Sequence, residues 1–317
     1  MERLKFNQYK MTKFLASILL LLLLPALSMA CDICGCGVGN GYIGILPDFA
    51  KRIMGIRYRF NTLQTHLGAG GTTSYLTSME TYRTAELWAG WNVSSKIRVM
   101  ISLPYNFNER QNQGELKHKQ GIGDISVAGF YELLNKKKTL PSGRLIVQSL
   151  WLGGTIKTPT GQYTVSDKSV NADNSNLFQL GTGSLDFSTN LMYDLRYQDA
   201  GINMSAAYKM NTANSHGYRY GNKFNLSAQA YYKFRVANKV TIAPNLGTQF
   251  ETAQKDKDGS RMADISGGRI VLATAGIETS FSKVLLGANY QSPLSQHLAD
   301  GFVKANNRWM VHVSFAL

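Results

Sequence analysis

Three cysteines, the only ones in the chain, sit together in Cys31-Asp32-Ile33-Cys34-Gly35-Cys36-Gly37. A CxxCxC spacing lets the thiolates of Cys31, Cys34 and Cys36 converge on one soft metal ion, Cu(I) or Zn(II), and the glycines permit the tight backbone this needs. Two other readings use the same residues. Cys31 could be lipidated as the first residue of a lipoprotein, although Ser28 stands where an aliphatic residue is expected. Two of the thiols could instead form a disulfide in an oxidising compartment, or the cluster could only tie down the N-terminus. The odd count leaves all three open.

Other residues with catalytic potential do not converge. His66, His118, His216 and His297 fall in connecting segments, and His312 shares a strand face with Ser314. Asn214-Ser215-His216 has no acid that the sequence brings to it, and no phosphate loop, dinucleotide fingerprint or HExxH occurs. The expectation is that the protein is not an enzyme.

The remaining reactive groups are charges, and their spacing is informative. In Lys223–Val236, KFNLSAQAYYKFRV, one parity reads Phe224, Leu226, Ala228, Ala230, Tyr232, Phe234 and Val236, while the other carries Lys223, Lys233 and Arg235 among polar residues. Strand side chains alternate faces, so this is a ribbon with one oily and one wet face. Arg57 and Arg59 stand against Met54, Ile56, Tyr58 and Phe60; Arg98 against Ile97, Val99, Ile101 and Leu103. Asp186, Asp194 and Arg196 oppose Leu185, Phe187, Leu191 and Leu195, and Glu251 opposes Leu246 and Phe250. A cation facing lipid at mid-depth costs about 2–4 kcal/mol, which would hold charges to one parity. Arg83 departs from the rule near a strand end, where that cost fades.

The elements that position these charges are twelve predicted strands: 52–63, 80–93, 96–108, 123–134, 143–156, 184–197, 201–211, 223–236, 239–251, 269–281, 283–291 and 305–317. Each is long enough to cross a bilayer when tilted, which takes about 9–11 residues. Short and long connections alternate, as in an up-and-down transmembrane barrel with both termini in the periplasm. A soluble sandwich would bury the apolar parity and show shorter, less regular strands. The collected inward charges, with Arg57, Arg59, Arg98, Arg196, Lys233, Arg235, Asp186, Asp194 and Glu251 among them, would either brace the lumen by ion pairing or bias it weakly toward anions.

Residues 1–30 read as a secretory signal: Lys10 and Lys13 precede the apolar run Phe14–Leu24, and Ser28-Met29-Ala30 offers a cleavage site. Removing them lowers the net charge from +14 to about +11, by four cations (Arg3, Lys5, Lys10, Lys13) and one anion (Glu2). An exported chain without a basic helix is not a nucleic-acid binder. The division is then signal 1–30, a Cys/Gly-rich segment 31–51 that is periplasmic or a lumenal plug, and a barrel from 52 to 317.

GIGDISVAGFYELL (121–134), LGGTIKTPTGQY (152–163) and LGTGSLDFSTNLMYDLRY (180–197) resemble the outer-membrane barrels of the "MetA-pathway of phenol degradation" type, which pair a GxGD strand opening with a later PTG loop and a GTGS-D opening. The resemblance spans roughly residues 80 to 290 and implies an outer-membrane channel for small solutes, aromatic ones among them. It carries over no binding residue, and the CDICGCG opening is not part of it. The motif glycines are expected to relieve tight bends where loops enter strands. The partners expected are outer-membrane lipid and lipopolysaccharide, the barrel-assembly machinery and a small anionic or aromatic solute. The alternative role is a metal-responsive or envelope scaffold working through the cysteine cluster.

Overall fold

In hydrocarbon, backbone amides and carbonyls find no water, so a strand wall must close on itself. The computed structural model describes residues 52–167, 176–237 and 239–317, and in it the wall closes. The strands are β1 (Ile53–Thr65), β2 (Ser78–Asn92), β3 (Ile97–Asn112), β4 (Glu115–Ile122), β5 (Ser126–Thr139), β6 (Leu145–Lys157), β7 (Asp186–Tyr197), β8 (Ala200–Met210), β9 (Tyr218–Arg219), β10 (Lys223–Tyr232), β11 (Phe234–Val236), β12 (Val240–Ala253), β13 (Asp256–Asp258), β14 (Arg261–Ala263), β15 (Gly268–Phe281), β16 (Val284–Leu298) and β17 (Lys304–Ala316). β4 with β5, and β10 with β11, each make one interrupted stave, giving twelve antiparallel staves. β1 pairs with both β2 and β17, and β10 with both β8 and β12, so no stave is an edge. All twelve predicted strands are present. β9, β13 and β14 form a small separate sheet.

The two faces follow the alternation. Ile56 is 60% exposed and Leu246 67%, whereas Arg57 and Glu86, on the opposite parity, are 3% and 2% exposed. Aromatic residues mark both ends of the outer band. Trp309 packs against Tyr58 and Phe60 with ring centroids 5.3 Å away in each case. Tyr232 and Phe234 pair at 4.7 Å toward the opposite end. On β17, Trp309 and Phe315 are six residues apart, about 20 Å of strand, comparable to the height of a membrane-facing apolar band. Ile53 pairs with Ala316, which puts both ends of the barrel sequence at the end with the short turns.

The segment expected as a long loop at 109–122 is instead a ribbon: β3 continues to Asn112 and returns as β4. Its outer face explains Arg83, whose guanidinium meets Glu109 at 3.3 Å beyond the apolar band. β16 likewise runs on to Leu298 rather than ending near 291.

Several inward glycines do something other than relax bends. Phe130 stands opposite Gly153, Tyr231 opposite Gly201 and His312 opposite Gly287. A Cβ on these glycines would lie 2.3 Å from the Phe130 ring, 2.4 Å from Tyr231 and 2.1 Å from His312. Each large side chain therefore lies flat across its neighbour's bare backbone and stays off the barrel axis.

Leu246→Arg should destabilise the folded barrel by about 2–4 kcal/mol, measured by urea titration in lipid vesicles, while the same change at inward Ser227 should cost little. Equal losses at the two positions would contradict the assignment of faces.

Candidate functional site

The lumen is built from a charged wall, a cavity and an inserted loop. On the wall, Glu86 accepts from Arg59 at 2.6 Å and lies 3.5 Å from Arg57. The Arg57 guanidinium also sits 5.6 Å from the Trp88 ring. Arg98 is fully buried, pressed against the backbone of Gly90, and donates to Asn92 at 3.5 Å. Glu251 takes Arg308 at 3.0 Å, and Asp194 accepts the Tyr231 hydroxyl at 3.0 Å. Arg196 and Lys233 are half-buried toward the short turns.

Arg235 differs from the rest. β10 and β8 part company after Tyr232 and Ala200, so Arg235 has passed the end of its neighbour. It is 54% exposed and pairs with Asp199 at 2.8 Å, a rim residue rather than part of the buried wall. Cys31, Cys34 and Cys36 lie outside the described residues, as does the whole segment 31–51 expected on the periplasmic side or as a lumenal plug.

An insertion from within the barrel sequence occupies the lumen. The connection between β6 and β7 leaves from one side of the ring, yet its Leu177 packs with Leu63, Tyr82, Ile270, Leu272, Leu298 and Ala305, which belong to β1, β2, β15, β16 and β17. In the ring order those staves lie on the far wall. Asn108 and Asn106 donate to the carbonyls of Gln179 and Leu180 at 3.0 Å, and Arg110 lies 4.5 Å over the Phe178 ring. The hydroxyl of Tyr220 donates to the Asn176 carbonyl at 2.9 Å. Residues 176–182 are buried throughout.

The base of this insertion is a polar clasp. Asp124 accepts from the Gly161 amide at 2.9 Å, from the Thr182 amide at 2.9 Å and from Lys157 at 2.5 Å. Lys157 also meets Asp186 at 2.9 Å, and Lys209 reaches the same carboxylate at 3.4 Å. Ser184 donates to Asp186 at 2.8 Å. A Cβ on Gly161 would fall 2.8 Å from the Gly181 Cα, and one on Gly181 would fall 2.4 Å from Asp124. The glycines of the three sequence motifs thus serve close approach across space, not only bends. Lys157 was missed, being assigned to a loop; its signal was that it keeps the parity of Trp151, Gly153 and Thr155.

Beneath the insertion lies a cavity of about 160 Å³ whose wall includes Arg59, Asn190, Lys223, Gln249, Glu251 and Arg308. Toward the short turns Ile53, Trp88 and Leu285 cluster with Met100 and Met192, narrowing the lumen with apolar side chains. Ser314, His312 and Glu278 form a hydrogen-bonded series, with His312 at 3.4 Å from Ser314 and 3.1 Å from Glu278. Ser314 is only 1% exposed, so its hydroxyl has no approach for a substrate carbonyl. Among the described residues no group of His, Cys, Asp and Glu side chains is placed to hold a metal ion.

Residues 59–309 match the family described as "Putative MetA-pathway of phenol degradation". The chain belongs to that family. Among solved structures, this family barrel is similar to an outer membrane channel from Pseudomonas putida F1, at 14% identity and a TM-score of 0.61, covering 89% of this chain and all of that one. The beta domain of the Bordetella autotransporter BrkA matches at 13% identity and TM-score 0.48, covering 84% of this chain and all of that one. The NanC porin matches at 11% identity and TM-score 0.43, covering 83% and 100%. No curated protein matches the chain. The first of these likenesses establishes the shared barrel fold of outer-membrane proteins.

Asp124→Asn should loosen the clasp, since a hydrogen bond to a charged group is worth about 1.5–3 kcal/mol. Chymotrypsin cleavage after Phe178 should then run about tenfold to a hundredfold faster than in the parent. An unchanged cleavage rate would mean that the loop is held elsewhere.

Proposed function

We propose that the protein is an outer-membrane channel through which small solutes diffuse passively, with no chemistry performed on them. The cavity of about 160 Å³ carries this reading. Its size is close to the volume of about 150 Å³ that accepts benzene in an engineered protein interior. A polar wall there suits a solute that keeps some of its hydrogen bonds while shedding bulk water. Three cations, Arg59, Lys223 and Arg308, border the cavity with one carboxylate, Glu251. Glu86 holds Arg59 and Glu251 holds Arg308, and donors of this kind on the wall favour a solute with a negative charge or an electron-rich ring, in keeping with the anionic or aromatic solute expected from the sequence. Arg57, Arg98, Arg196, Lys233, Asp186 and Asp194 set the field along the rest of the passage, and Arg235 sets it at the rim.

In this reading the signal at residues 1–30 is cleaved on export, and the short-turn end with both barrel termini faces the periplasm. The segment at 31–51 then stands on that side, and the long connections face lipopolysaccharide. The Pseudomonas protein of the same fold is itself called an outer membrane channel.

Reconstituted in a planar bilayer, the protein should conduct in small steps, and Asp124→Asn should raise the step size by releasing the insertion. Under a salt gradient, Lys223→Gln should move the reversal potential toward cation preference. If neither the parent nor the loop-released variant conducts, the channel reading fails.

A further inference from the structure

The charge of the barrel is unevenly distributed along its axis. Six lysines, Lys96, Lys136, Lys137, Lys138, Lys239 and Lys283, are exposed on the short-turn end. Among the described residues none of the six is paired with a carboxylate. Among the described residues, the acidic side chains near this end are engaged elsewhere: Glu132 accepts from Asn135 at 2.8 Å, Asp194 from Tyr231, Asp199 pairs with Arg235 and Glu278 meets His312 at 3.1 Å. At the opposite end, exposed acids such as Glu115, Asp264 and Asp300 intersperse the cations, and Lys255 bridges the last two at 3.5 and 3.1 Å.

The height of the lysines decides what they meet. Lys96 adjoins Ile97, which is 42% exposed, and Lys283 follows Phe281, 55% exposed, by two residues. Lys239 follows Val236, 51% exposed, by three, and Lys136 follows Leu133, also 51% exposed, by three. These four lysines thus lie within about 10 Å of chain from a lipid-facing apolar side chain, and Lys137 and Lys138 directly follow Lys136. Arg144 reinforces the level, donating to the Tyr197 hydroxyl at 2.7 Å with its guanidinium 5.9 Å from that ring. Lysines just past an apolar and aromatic band extend their charge to the headgroup layer.

We propose that the short-turn end is a collar that binds the phosphates of anionic phospholipids in the leaflet it contacts, selecting them over zwitterionic ones. This rests on the barrel and its apolar band and not on solute transport. Each basic residue close to an anionic lipid surface contributes about fivefold in affinity, so a ring of six has a large combined effect even when only a few engage at once.

The tryptophans supply the readout. Trp91, on β2 beside the first short turn, and Trp309 face outward, while Trp88 and Trp151 are 2% and 4% exposed. Trp309→Phe therefore leaves Trp91 as the lipid-facing tryptophan, and Trp91→Phe leaves Trp309 at the other end. In vesicles mixing phosphatidylglycerol with phosphatidylcholine, brominated in one species at a time, Trp91 should be quenched at least about fivefold more efficiently by the anionic species, and Trp309 should show no such preference. The preference should fall several-fold in the variant combining Lys96→Gln, Lys136→Gln, Lys137→Gln and Lys138→Gln, and also in concentrated salt. Added inorganic phosphate at millimolar concentration should leave it unchanged. Equal quenching by the two lipids at Trp91, or an equal preference at Trp91 and Trp309, would overturn the proposal. Displacement by free phosphate, or by polyglutamate at micromolar concentration, would overturn it in favour of a soluble anion or an acidic polypeptide.

Discussion

The constraint on which the rest depends is that hydrocarbon accepts no hydrogen bonds. A backbone group left unpaired there costs several kcal/mol, so the strands must meet around a ring, and the last stave must find the first. Ile53 against Ala316 and Lys223 against both Lys209 and Ala253 are the pairings that complete it. Once the ring is closed, every strand has one face in lipid and one in the lumen. The exclusion of charge from the first face then sends Arg57, Arg98, Asp186 and Glu278 to the second.

Crowding charges into twelve staves creates a second problem, because a lumen this narrow shelters them from water. Buried charges need partners, and the wall supplies them: Glu86 is directly opposite Arg57 on the neighbouring stave, and Glu278 of β15 meets His312 of β17 across the one stave between them, β16. Where a bulky side chain had to be accommodated, a glycine opposite lets it lie down, as Tyr231 does over Gly201 on its way to Asp194. The clasp of Asp124, Lys157 and Asp186 extends the same device beyond the wall. Here the paired charges secure the two ends of a connection whose apolar Leu177 finds its cover on the far wall.

What was legible in the sequence was whatever is local. Period-two alternation fixed the faces of Arg57, Arg59, Asp194 and Glu251, and the rhythm of strand and turn yielded the stave count. The insertion was not legible because its partners are remote: nothing near Leu177 in sequence announces Leu63 or Leu298. A hint existed in the apolar run Leu177, Phe178 and Leu180 within a supposed outer loop, since three such side chains seldom face water together. Lys157 lies one residue past the predicted strand end, and Arg235 stands at the rim: parity says which way a side chain points but not whether a neighbouring stave still stands beside it. The motif glycines were seen, but their contacts with one another required the fold.

These two kinds of information explain why the barrel is easier to read than its passage. The outer face answers to one solvent and obeys one rule, so any stretch of a dozen residues reveals it. The lumen answers to side chains contributed by staves far apart in the chain, and the width left over is a small difference between a fixed circumference and the bulk turned inward. Beside a cavity of about 160 Å³, one side chain such as Lys223 or Met192 is an appreciable obstacle. The free width there is therefore set by a few residues whose neighbours are fixed by register. Those few residues can be exchanged while the ring, the clasp and the greasy exterior stay as they are.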